Sequence, residues 1–154
     1  MKLHRIIEHS ARQAMDSQHD DGAMPPGCNG PYNHPETPVR NTSHWLCPFS
    51  FLYDRFDDLL FHEAATRCAD YLMLNRPKWT FKHRSQQGKD NCNGLIGPAW
   101  NIEALIYAAE KLSRPELAEL AYHLFSVHPF DDDLGLWHRR EIDGSILPID
   151  WTFN

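Results

Sequence analysis

No run of lysine and arginine longer than Arg139-Arg140 occurs in this chain, and its formal net charge is −6. Nucleic-acid binding normally needs a concentrated basic face, so no nucleic-acid partner is expected. No apolar stretch approaches the ~20 residues that a membrane-spanning helix requires. The first nine residues, Met1 to His9, are charged every few positions and hold no apolar core of a secretory signal. There is no Cys-x-x-Cys pair; Cys28, Cys47, Cys68 and Cys92 are far apart. Without an export signal, they read as reduced thiols of a cytoplasmic protein. Metal ligation is not expected either. Asp131-Asp132-Asp133 are adjacent carboxylates that do not converge easily, and they read as a solvated turn. No cofactor is expected.

What is present is an ordinary globular balance over 154 residues, 42% hydrophobic and 23% charged, which suits one domain. The ten histidines and five tryptophans are many for this length. Most of the tryptophans adjoin polar segments, where a flat ring suits stacking on a sugar or base. Apolar residues at helical spacing predict helices over about 3–16, from near Ser43 to Phe56, 58–74, 97–112 and 115–127. Asn41, Thr42 and Ser43 are the candidate caps of the second, and Pro48 places its start near 43–47. Two polar segments, 17–41 and 75–93, interrupt the helices. The first is rich in proline and glycine and carries Glu36 and Arg40, the composition of a binding loop. Near the C-terminus, Asp143-Gly144 between two apolar runs predicts a β-hairpin within 134–151.

Residues 90–105 hold the densest information. A polar turn from Asp90 to Gly94 runs into an apolar helix, with Gly94 and Gly97 three apart. A helical face without side chains predicts the close approach of another backbone or a ligand. Pro98 suits a first helical turn. Trp100, Asn101 and Glu103 then fall at the helix mouth.

Short turns at 57–58 and 113–114 alternate with the long loops 17–41, 75–93 and 128–135. In antiparallel helix pairs this gathers the long loops at one end. The expected fold is therefore all-α, built of antiparallel helical hairpins, with a small β-hairpin near the C-terminus.

Three stretches also carry a resemblance: Asn29 to Tyr32 with Arg40 to Trp45, Cys92 to Glu103, and His128 to Phe130 with Asp150 to Asn154. They resemble the six-hairpin (α/α) toroid glycosidase superfamily. Its relatives include N-acylglucosamine 2-epimerases and unsaturated glucuronyl hydrolases, and the likeness is greatest to uncharacterised members from polysaccharide-biosynthesis loci. The resemblance implies residues 1–154 as a partial toroid domain. Such toroids need about twice this length, so it also implies either self-association or a missing C-terminal part. Lanthionine cyclases, also helical toroids, offer a second resemblance. They bind zinc through cysteine and a Cys-His pair, whereas Cys92 here is followed by Asn93. That leaves at most a zinc-less relative.

Toroid sugar chemistry uses carboxylates or histidine as acid and base, with aromatic platforms. Glu103, Asp150 and His44 are the candidate catalytic groups. Arg40, Trp45, His83, Asn93, Trp100 and Trp137 are candidate substrate-binding groups, arginine because its fork matches an oxyanion. The function implied is acid/base chemistry, hydrolysis or epimerisation, on a sugar or uronic-acid unit in glycan metabolism. The alternative from another class is a non-catalytic sugar-binding or assembly module.

Overall fold

A computed structural model describes residues 3–29, 33–76 and 78–149. Its helices are α1 (Leu3–Met15), α2 (Val39–Phe56), α3 (Leu59–Leu74), α4 (Ile96–Lys111) and α5 (Pro115–Ser126). Four two-residue strands accompany them: β1 (Cys28–Asn29), β2 (His34–Pro35), β3 (Phe130–Asp131) and β4 (Leu136–Trp137). β1 pairs with β2 and β3 with β4, both antiparallel.

Local chemistry explains both tight turns. Asp57 ends α2 in the left-handed region (φ 53°), its N–H donating to the Tyr53 carbonyl. Asp58 then caps α3, its carboxylate accepting from the Leu60 N–H at 3.0 Å. Between α4 and α5 the left-handed residue is Ser113 (φ 55°), and Pro115 opens α5, where a missing N–H costs nothing.

The two helical hairpins pack through α2 and α4. Near their starts Asn101 donates to Ser43, and near their ends Lys111 lies 3.4 Å from Asp54. The two helices therefore run side by side in the same direction, with α3 and α5 returning behind them. Phe49, Leu52, Phe61, Leu72, Leu105, Leu117 and Leu124 fill the space between, each fully buried or nearly so. Each such side chain stabilises the fold by about 1.5–3 kcal/mol.

Helix α2 starts earlier than the spacing predicts and takes Pro48 into its interior. The supposed capping residues are used differently. The Thr42 and Ser43 hydroxyls donate back to the carbonyls of Pro38 and Val39 at 2.8 and 3.0 Å. Thr42 also accepts from the Met24 N–H at 2.9 Å, and Asn41 donates to the Pro25 carbonyl at 2.7 Å. These bonds draw the preceding loop onto the first turns of α2. Pro38, with φ −60°, already has the helical torsion needed to begin it.

The long loop after α1 first climbs α3. Gln18 donates to the Gly22 and Ala64 carbonyls, both at 3.1 Å. Gly22 (φ 89°) lies so near the Arg67 carbonyl that a Cβ would fall 2.2 Å from it. The loop then meets the segment before α4: the Thr37 N–H donates to the His83 carbonyl at 2.9 Å, and the backbones of Glu36 and Arg84 pair as an isolated antiparallel β-bridge. Residues 139–141 close on the same segment, with Glu141 accepting from the Cys92 thiol at 3.2 Å. The loops 17–41 and 75–93 thus meet where α2 and α4 begin, and residues 139–141 of the C-terminal region join them. In the C-terminal region β3–β4 forms the ladder, and the Asp143-Gly144 turn follows it. That turn is closed by Glu141 N–H to the Ser145 carbonyl at 2.9 Å and by one bridge, Arg140 to Ile146.

No helix among the described residues is long and apolar enough to cross a membrane.

Candidate functional site at the start of helices α2 and α4

The mouth is built around Trp100, one turn into α4 and half-buried. Arg40, in the first turn of α2, lies over its ring with the guanidinium carbon 4.5 Å from the centroid. A cation over an indole face is attracted by the ring quadrupole. Glu36, buried one turn before Arg40, holds the guanidinium from below at 2.8 Å. One turn further along α2, His44 meets the Trp100 ring edge-on at 5.3 Å, and His83 does the same from the loop at 6.3 Å.

His83 is buried and its Nε2 lies 2.7 Å from the Asn101 side-chain oxygen. Asn101 is fully buried in α4 and its amide nitrogen donates to the Ser43 hydroxyl. An oxygen acceptor at Asn101 requires the proton of neutral His83 on Nε2. One polar chain thereby joins loop, α4 and α2 beneath Trp100. Burial pushes the His83 imidazole down to about 4, reinforced by Arg40 and His44. His44 is also held below its ordinary range, by partial burial and by Arg40, with Glu103 and Glu36 opposing.

The turn into α4 explains why Trp100 stands where it does. Asn93 (φ 60°) and Gly94 (φ 68°) take left-handed torsions, and Asp90 accepts from the Gly94 N–H at 2.9 Å. Gly97 answers the expectation of a close approach. A Cβ there would stand 1.9 Å from the Cys92 carbonyl oxygen and 2.9 Å from the His83 ring.

Arg40, His44, His83 and Trp100 are therefore brought together. Asn93 adjoins them through the loop, but Arg84 already donates to its side-chain oxygen, from Nε at 2.7 Å. Trp45 faces away, stacked on Phe49 at 5.5 Å and packed against the core. Trp137 belongs to a separate cluster with Phe130 and Phe125, at 4.5 and 5.9 Å. Asp150 lies outside the described residues. Glu103 is exposed on α4, near enough to influence His44, and lines an open groove of about 460 Å³ with Ile7, Cys47, Pro48, Phe51 and Tyr107. Among the described residues no three His, Cys, Asp or Glu side chains converge as a metal site.

The sequence places Glu36 in the binding loop and Asn101 at the helix mouth, but neither is among the candidate catalytic or substrate-binding groups. Glu36 and Arg40 are spaced i,i+4, a signal for an ion pair on one helical face. Asn101 is an amide inside an otherwise apolar helical stripe, which requires a buried partner.

No family model matches the chain, and no solved structure matches it. Among curated proteins, the chain is similar to the archaeal glycosylation protein Q of Haloferax volcanii, with 46% identity over 155 residues. The match takes in 99% of this chain and 42% of that relative, so the chain spans less than half of the relative's length.

Proposed function

We propose that the mouth binds an anionic sugar unit, of the uronic-acid type, in glycan metabolism, and that the two helical hairpins form part of an α/α toroid. The observation that carries this reading is the Arg40–Trp100 arrangement. A guanidinium held by a buried carboxylate and laid on an indole presents its remaining donors beside an aromatic platform. The similarity to a protein named for glycosylation supports the glycan context.

His44, kept neutral near pH 7, serves as the proton acceptor, and Glu103 is the neighbouring carboxylate. A general base works best when it is unprotonated at the working pH. The roles fit hydrolysis or epimerisation equally. A second reading, sugar binding without chemistry, is favoured by one observation: Glu36, the other carboxylate of the cluster, is buried in its ion pair with Arg40.

Titration of the labelled protein with glucuronate, glucose and N-acetylglucosamine, followed by NMR, tests the binding. Glucuronate should shift the Trp100 indole and His44 signals, and Arg40→Ala should weaken it by roughly tenfold or more, as loss of one charge-assisted hydrogen bond predicts. Shifts that spare Trp100, or equal binding of all three sugars, would count against the reading. Turnover abolished in Glu103→Gln with binding intact separates the enzyme from the binding module.

A further inference from the structure

We propose that the open groove between α1, α2 and α4 is a self-association surface, occupied by the α1 edge of a second copy of this chain. Helix α1 is amphipathic, yet Ala11 is its only fully buried residue. Leu3 and Ile6 remain 70% and 41% exposed. Phe51 of α2 is 41% exposed, and the groove walls are the apolar parts of Ile7, Cys47, Pro48, Phe51 and Tyr107. An apolar face of this kind, continuous across three helices, marks an interaction site.

Charge names the partner. Glu103 is the one charged residue lining the groove, and it has no ion-pair partner among the described residues. Arg5 and His9 lie one turn apart on α1, on the edge next to Ile6, and Arg5 likewise has no ion-pair partner among them. An apolar groove with one carboxylate and an apolar helix edge with a cation therefore sit on the same chain. Such a self-complementary face closes with two-fold symmetry, each copy giving an edge and receiving one.

The chain carries a net charge of −6, so two copies repel at long range and added salt should strengthen the association. Light scattering on the 17.9 kDa chain at tens of micromolar is the first measurement, and the expected mass is twice that value. Phe51→Glu and Tyr107→Asp should each raise the dissociation constant at least tenfold. Leu74→Glu, on α3 at 82% exposure, should leave it unchanged and controls for added surface charge. Reversing one charge, Arg5→Glu or Glu103→Arg, should weaken the dimer, and combining both should restore it. Where a groove variant fails to fold, a mixing experiment replaces it. Arg5→Cys and Glu103→Cys chains, each also carrying Cys28→Ser, should form a mixed disulfide under mild oxidation. A monomer at these concentrations overturns the proposal. So does a dimer indifferent to both groove variants, or chains that fail to cross-link.

Discussion

At the scale of single residues, the site depends on places where almost nothing else fits. Gly97 is one, because the Cys92 carbonyl occupies the space a side chain would take. Gly97→Ala should destabilise the fold by about 1–3 kcal/mol, the usual cost of overpacking. Chemical denaturation measures it, and unchanged stability would mean that α4 is not seated on the loop. The buried histidines make a second prediction. His83 and His128 are both pushed down to about 4, chiefly by burial, helped by Arg40 and His44 in the first case and by Arg140 and Arg139 in the second. The unfolded chain, with ordinary histidine affinity, takes up protons first as pH falls. Stability is therefore fully present above about pH 6.5 and declines toward pH 4. His83 alone should cost on the order of 2 kcal/mol between pH 6.5 and 4.5. His83→Gln should flatten that part of the profile; an unchanged slope would remove His83 as its source.

At the scale of elements, Asp58 serves two ends at once. It caps α3 and receives Arg12 of α1 at 2.7 Å. Asp58→Ala should cost about 1 kcal/mol through the cap. Asp58→Asn keeps an acceptor oxygen and should cost less, as should Arg12→Ala, since partly exposed ion pairs contribute little. Thermal melts of the three variants decide the order. The helices themselves were legible in the sequence, because apolar periodicity, Pro98 and Pro115 all reflect local rules. Two features were not. The start of α2 was hidden because Asn41, Thr42 and Ser43, capping residues by type, are committed to tertiary bonds and back-bonds instead. Trp45 and Trp100 are equally aromatic and equally near polar residues. Only the packing of α2 on α4 decides that one stacks in the core and the other stands at the mouth.

At the scale of the whole molecule, the closing of the loops onto one end has a direct chemical readout. Cys28 is exposed, Cys47 is half-buried, and Cys68 and Cys92 are buried. Burial pushes the Cys68 thiol up to about 12, and burial together with Glu141 raises that of Cys92 as well. A thiol reagent at pH 8 should label Cys28 at once and Cys47 slowly, while Cys68 and Cys92 wait for unfolding. Rapid labelling of Cys92 alone would show that residues 139–141 are not docked over it. The meeting of the loops 17–41 and 75–93 was readable from the alternation of short and long connections. Its bonds were not, because they join residues far apart in the chain, such as Cys92 and Glu141.

Glu103 belongs both to the groove and to the electrostatic surroundings of His44. A single carboxylate shared in this way makes the two surfaces thermodynamically linked. Any cation that neutralises Glu103 from the groove side removes one of the two carboxylate influences, Glu103 and Glu36, that hold the His44 proton against Arg40. His44 then titrates lower still, and by reciprocity each proton it gains alters the affinity of the groove for that cation. Molecules that never touch the mouth would be felt there as a change in acidity.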